Sequence, residues 1–283
     1  MTRLINTSKT VLLMLGMMAL FLLVGSMYGK TGMTIALVLG GLTNVIAWFF
    51  SDKIAIASMR GVEVTANTPG PAGQLYSMVD QLRQRANLPM PRVYICPQQT
   101  PNAFATGRSP SKAAVAITEG ALRLLTPEEV AGVMAHELAH VKNRDTLTSC
   151  ITATIAGVLA YIAQWGMFFG GSNREGGNPL AGIFVFIFAA VGAAILKAMI
   201  SRSREYVADH DGAIIAGSPN GLIAALQKLE VYGKQIPLQT ANPAQNNMFI
   251  VEPLITTRGL LSMFSSHPPT ENRIVALREM QIP

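Results

Sequence analysis

The chain has 283 residues, half of them hydrophobic and only 13% charged, with a net charge of +6. A mean hydropathy of +0.35 with so few charges excludes an ordinary soluble protein, because it takes long apolar spans to dilute a polar domain that far. There is no basic run interleaved with aromatics and no nucleic-acid module, so nucleic acid is excluded as a partner and the positive balance is read as basic loops facing anionic lipid.

In chain order, Val11 to Tyr28 and Met33 to Phe50 are charge-free apolar runs of 18 residues each, separated by Gly29-Lys-Thr-Gly32. Each is just long enough to cross hydrocarbon about 30 Å thick. Residues 1–50 are therefore predicted as a transmembrane hairpin; a cleaved signal peptide is the alternative for the first run, which lacks a small-x-small cleavage site. Residues 51–149 are polar. Pro71 to Leu88 is predicted helical, with Leu75, Met78, Val79 and Leu82 on one face, and Arg92 to Cys96, Ala103 to Thr106 and Ala113 to Thr118 as strands of a small antiparallel sheet.

Residues 150–200 hold two further apolar runs, Cys150 to Gly170 and Leu180 to Ile200, around a Gly/Asn-rich connector. They are predicted as a second transmembrane hairpin, with a buried core hairpin as the alternative, since Gln164 and Lys197 interrupt them. Residues 201–283 add amphipathic helices at Asn220 to Tyr232 and Pro269 to Met280. The expected fold is thus mainly α: four transmembrane helices plus one cytoplasmic α+β zincin-like domain, built from residues 51–149 and 201–283 and interrupted by the second hairpin. Arg3, Lys9, Lys53, Arg60, Lys142, Arg144, Arg202 and Arg204 fall on one side of such a hairpin pair, and only Lys30 and Arg174 on the other. The positive-inside rule then puts both termini and the polar domain in the cytoplasm. Cys96 and Cys150 are far apart and in no CxxC pair, which supports neither a disulfide scaffold nor a thiolate zinc site.

The chemistry sits in Thr126-Pro-Glu-Glu-Val-Ala-Gly-Val-Met-Ala-His-Glu-Leu-Ala-His140. Thr126 as N-cap, Pro127 at the first helical position and Glu129 three residues on predict a helix start with a capping box. At about 100° per residue His136 and His140 then emerge from one face, a turn apart, and can share a tetrahedral metal. Glu137 falls beside that metal, where a general base is needed. An open catalytic zinc site takes three protein ligands. The third is sought among His210, His267 and the acids, and the segment Ser201-Arg-Ser-Arg-Glu-Tyr-Val-Ala-Asp-His210 supplies Glu205, with Asp209 on the same helix face as acceptor for a liganding imidazole. His210 would be rotated about 140° away. Asn102, in an Asn-Ala-Phe-Ala run that reads as a candidate edge strand, is a candidate for a substrate carbonyl; a plain hairpin strand with Phe104 in the core is the alternative. His267, in Ser266-His-Pro-Pro269, is a candidate oxyanion donor, with Arg273 a turn on as partner for Asp209.

Over almost the whole chain these features resemble the HtpX family of bacterial membrane zinc endopeptidases, relatives of the CaaX prenyl-processing protease. The resemblance rests on the N-terminal hairpin, Pro101-Asn-Ala-Phe-Ala-Thr-Gly107, the His-Glu-Leu-Ala-His helix continuing into Asn143-Arg-Asp145, the Ser-Arg-x-Arg-Glu-Tyr-x-Ala-Asp segment and Ser266-His-Pro-Pro269 followed by Arg273. It implies one zinc ion per chain with Glu205 as third ligand, protein substrates, and a role in membrane-protein quality control at the cytoplasmic membrane. Because His140 lies ten residues before Cys150 and Glu205 five after Ile200, a metal there would sit near the bilayer surface, and membrane proteins are the expected substrates. A non-cutting metal-stabilised scaffold and a zinc hydrolase of small amides or lipids are the competing readings; the intact Glu137 argues against the scaffold.

Overall fold

A computed structural model describes residues 2–26, 29–149, 151, 202–235 and 268–280. In hydrocarbon every backbone polar group has to be satisfied within its own segment, and the two N-terminal apolar runs are accordingly helical. Helix α1 (Thr2–Ser26) and helix α2 (Gly29–Ser58) lie against each other, with Asn44 Nδ2 donating to the Met14 carbonyl at 3.0 Å. Gly29 takes a left-handed φ of 71°, and residues 29–32, expected as the turn, are instead the first turn of α2. Among the described residues one helical stretch is long and apolar enough to cross a membrane, Gly29–Phe50, while the apolar stretch of α1, Thr10–Leu23, is shorter. One of the four expected spans is thus seen as such. The second hairpin, apart from Ile151, lies outside the described residues.

Beyond Phe50, α2 continues without a break into the polar part. Ala55 and Ile56, with Met59 just after the helix, pack on Tyr94, Cys96, Phe104, Ala114 and Ala116, and Asp52 accepts from Arg92 Nη2 at 2.9 Å. The surface these residues cover is one face of a four-stranded sheet made of β1 (Val62–Val64), β2 (Arg92–Cys96), β3 (Ala103–Thr106) and β4 (Ala114–Thr118), in spatial order β1-β2-β4-β3. The sheet is mixed, not antiparallel as expected: β2 and β4 run parallel from Arg92↔Ala114 to Cys96↔Thr118, while β1–β2 and β3–β4 are antiparallel. After β2 the chain passes over the future place of β4 to form the edge strand β3, then turns back and fills the gap. Being central and covered on both faces, β4 is buried at all five positions, which is why Ala-Val-Ala-Ile-Thr shows no alternation.

The other face carries the helices α3 (Pro71–Arg85), α4 (Glu119–Leu124), α5 (Pro127–Asn143), α6 (Arg202–Ala216), α7 (Asn220–Gln235) and α8 (Thr270–Glu279). The core includes Val79, Val93, Val115, Ile117, Met134, Leu138, Ile215, Leu222, Leu226 and Leu277. Helix α5 is at its centre, against α3, α6, α7 and β3, and its burial on most sides explains why 11 of its 17 residues are buried.

Candidate metal centre

The phase of α5 is set at its first turn. Thr126 Oγ1 accepts the Glu129 N–H at 3.4 Å while Glu129 Oε2 accepts the Thr126 N–H at 2.8 Å, the expected capping box. Such a cap stabilises a helix by about 1 kcal/mol, and Lys228 Nζ, 2.8 Å from Glu129 Oε2, ties it to α7. Two and a half turns later His136 and His140 share one face. Their rings stand edge to face with centroids 4.7 Å apart, and their Nε2 atoms approach to 3.2 Å.

Helix α6 brings the third group. It presses on α5 at Gly212, where a Cβ would meet His136 Cα at 2.8 Å and His136 N at 2.9 Å. Only a residue without a side chain lets the two backbones come so close. Glu205, two turns earlier on α6, then has Oε1 3.6 Å from His140 Nε2 and Oε2 3.7 Å from His136 Nε2. His136, His140 and Glu205 form the cluster expected from the sequence, with one ligand atom from each lying within 4.8 Å of the others.

The supporting groups are arranged around it. Asp209 Oδ1 lies 3.0 Å from His136 Nδ1, close in distance although the ring N–H points off the line to it. Arg273, only 1% exposed, grips Asp209 with both ends of its fork, Nε to Oδ2 at 2.8 Å and Nη2 to Oδ1 at 2.7 Å, and its Nη2 is 3.8 Å from Glu205 Oε2. Burial alone would raise the Asp209 carboxyl; Arg273, helped by His136, outweighs it and holds the group below the usual carboxylate range. Asp145 is a site residue that spacing alone did not pick out. Helix α5 ends at Arg144 in the left-handed region (φ 58°), which folds the chain back so that the Asp145 N–H donates to the His140 carbonyl at 3.0 Å and Asp145 Oδ2 lies 3.2 Å from His140 Nδ1. The signal was an acid just past the helix that carries the second histidine, where a C-terminal reversal points back at that histidine. Burial pushes the His140 ring down, but the Asp145 hydrogen bond and the charges of Glu205, Glu137 and Asp145 lift it to about 9.

These residues fit a divalent metal on three counts. With each Nδ1 beside a carboxylate, the two Nε2 atoms are turned toward each other at 3.2 Å, where one cation can be shared by both rings. Tetrahedral zinc with N and O bonds near 2.0–2.2 Å places its ligand atoms about 3.3–3.5 Å apart, against the 3.2, 3.6 and 3.7 Å here. Finally, the buried acids Glu137, Asp145, Glu205 and Asp209 outnumber the buried Arg204 and Arg273 by two, the charge of one dication.

The remaining candidates divide. Glu137 is buried in the same turn of α5, close enough for its charge to act on both His140 and Arg273. Asn102 is 1% exposed, with its N–H donating to Thr118 Oγ1 at 2.8 Å and its carbonyl accepting from the Thr118 N–H at 2.9 Å. Beside it β3 is an edge strand of the sheet and Phe104 is in the core. His210 points away from the cluster, its side chain 57% exposed and 3.5 Å from Asp211. His267 lies outside the described residues.

The chain is 50% identical over 281 residues to a protein named Protease HtpX homolog from Desulforapulum autotrophicum, covering 96% of this chain and 89% of that one. It is also 50% identical over 280 residues to the Protease HtpX homolog of Burkholderia ambifaria, covering 97% of each. Among solved structures, the crystal structure of S. mikatae Ste24p superimposes with a TM-score of 0.54 at 15% identity, over 98% of this chain and 66% of that one, which is a likeness of fold. The model of Peptidase family M48 matches residues 69–281, and the chain belongs to that family.

Proposed function

We propose that the chain is a membrane-bound zinc endopeptidase, with His136, His140 and Glu205 as the ligands of one zinc ion per chain. The observation that carries this reading is the convergence of two Nε2 atoms and the Glu205 carboxylate beside the buried Glu137. A zinc ion held there would polarise the scissile carbonyl and acidify a water toward neutral pH. Asp209 and Asp145 orient the two imidazoles through their Nδ1 sides, and Arg273 fixes Asp209. Glu137 takes the proton of the attacking water and passes it to the departing amine nitrogen. The exposed edge of β3 pairs with an extended substrate backbone, Asn102 meets a substrate carbonyl after local opening, and His267 donates to the developing oxyanion.

Substrates are protein segments near the cytoplasmic face of the membrane, and the residues 51–149 and 201–283 act as one cytoplasmic domain between two membrane hairpins. What supports this is the unbroken course of α2 from its apolar stretch onto the face of the sheet, the short connection between the end of α5 and the apolar run at residue 150, and the positive charge around those ends. The kinship with proteins named HtpX supports a role in protein quality control. The test is digestion of unfolded casein by the full chain with and without a chelator, alongside zinc content. Wild type should cut and hold one zinc, Glu137→Ala should hold zinc without cutting, and Glu205→Ala should lose both. A Glu205→Ala protein with one tightly held zinc and near-normal turnover would refute the ligand assignment.

A further inference from the structure

Three polar side chains just past the metal helix, Asp145, Thr146 and Thr148, reach back to that helix, to the sheet and to α1. Asp145 reaches His140, Thr146 Oγ1 donates to the Gly107 carbonyl at 2.7 Å in the turn between β3 and β4, and Thr148 Oγ1 meets Thr10 Oγ1 of α1 at 3.0 Å. All of these side chains except His140 are buried below one-tenth exposure. The Thr10–Thr148 bond joins residues 138 apart in sequence. Each partner immediately precedes or nearly precedes an apolar run, Val11 onward and Cys150 onward, so the bond lies at one level of the chain, where both runs begin. One turn further along α1, Met14 takes the hydrogen bond from Asn44 of α2, so the same stretch of α1 is held from both sides.

A hydroxyl pair in such a place has few competitors, since there is little water to replace either partner. Thr148 is less than one helical turn from Asp145, and Asp145 reaches His140 only because the left-handed Arg144 reverses the chain. A displacement of residues 146–149 is therefore transmitted to the carboxylate that orients the ring.

Resting on the reading of His136, His140 and Glu205 as a zinc site, we propose that Thr10 is a positioning residue for it: through Thr148 it anchors the Asp145–Thr148 junction to the N-terminal helix and keeps Asp145 on His140. The membrane hairpin is then part of the metal site's support and not only an anchor. Loss of an outer partner of a zinc-bound histidine typically weakens metal binding 10–100-fold, and loss of a group that holds that partner should reach the lower end, about tenfold.

The experiment uses the full chain in nanodiscs and measures zinc retention against a competing chelator, with thermal melting of the metal-loaded protein beside it. Thr10→Val should lose zinc about tenfold more readily, Thr10→Ser should restore wild-type retention, and Thr10→Val with Thr148→Val together should be no worse than either alone. Thr43→Val is the control, because the Thr43 hydroxyl donates to the Leu39 carbonyl of its own helix at 2.8 Å. Should Thr10→Val fail to accumulate, Thr148→Val removes the same bond from the other side. Wild-type retention in Thr10→Val, failure of Thr10→Ser to rescue, or equal zinc loss in Thr43→Val overturns the proposal while leaving the zinc site standing. Absence of zinc from the wild-type chain sinks the site and the proposal together.

Discussion

Replacing Gly212 with alanine tests whether the metal centre depends on how closely α6 approaches α5. The new Cβ would lie 2.8 Å from His136 Cα, 2.9 Å from His136 N and 3.3 Å from Ala135 C, all of them backbone atoms in the buried middle of α5. Carbon atoms in ordinary contact stand about 3.5–4.0 Å apart, so the helices must separate by roughly half an ångström to an ångström. Overpacking of this kind costs about 1–3 kcal/mol. The functional cost should be greater, because metal sites tolerate ligand displacements of only about 0.2 Å and Glu205 and Asp209 both ride on α6. Zinc per chain after dialysis against a graded chelator should fall by tenfold or more, with a moderate drop in melting temperature. Gly16→Ala is the matched control, since nothing lies within 4 Å of its added Cβ. If Gly212→Ala keeps full zinc occupancy and normal casein turnover, the close packing of α6 does not determine the position of Glu205, and the geometric account of the third ligand is wrong.

Arg273→Met removes the fork that neutralises Asp209 and faces Glu205, and breaking a buried pair in this way should destabilise by about 3–5 kcal/mol, read by melting, whereas Arg273→Lys should keep the fold but weaken zinc retention. His267→Ala should lower kcat about a hundredfold at unchanged zinc content, with His210→Ala close to wild type; equal and mild loss in both would remove His267 from the reaction. Burial raises the Cys96 thiol to about 11. A group whose folded pKa is raised contributes stability below its unfolded pKa, about 8.5, and loses it as pH climbs toward the folded value. Melting temperature should therefore fall between about pH 8.5 and 11, and fall less in Cys96→Ala; parallel curves would show that Cys96 does not titrate in this way. Reporter fusions at Lys30 and Arg174 should read as external and both termini as internal, and a cytoplasmic readout at Arg174 would reduce the second hairpin to a buried or re-entrant element.

What the sequence made legible was local. The Thr126 cap, Pro127 and Glu129 determine where α5 begins, and that start fixes the common face of His136 and His140 without any help from the rest of the chain. Asp209 was readable because it shares the i, i+4 face of Glu205. The sheet was readable as three strands but not as a topology, because a run such as Ala114 to Thr118 says that a strand is central and covered, not which neighbour it takes or in which direction. Strand β1 was missed because three residues carry no period. Asp145 was missed for a different reason: its approach to His140 depends on a left-handed backbone at an arginine, a residue that gives no sign of that conformation in a sequence.

The charges of the cluster show why its parts must come from distant stretches of chain. Glu137 and Asp145 belong to α5 and its reversal, Glu205 and Asp209 to α6, and Arg273 to α8, and each of these side chains is buried. Neither helix alone could bury its own acids, since isolated carboxylates out of water cost several kcal/mol each. Arg273 offsets part of that cost by reaching both acids of α6 at once, at 2.7–2.8 Å to Asp209 and 3.8 Å to Glu205. With the buried Arg204 counted as well, the four acids exceed the two arginines by two charges, those of one divalent ion, in the cluster where the two Nε2 atoms face each other. With a divalent ion bound in the cluster, docking of α6 and α8 onto α5 and assembly of the site would be one event, and the stability of the polar half of the molecule would be linked to that ion.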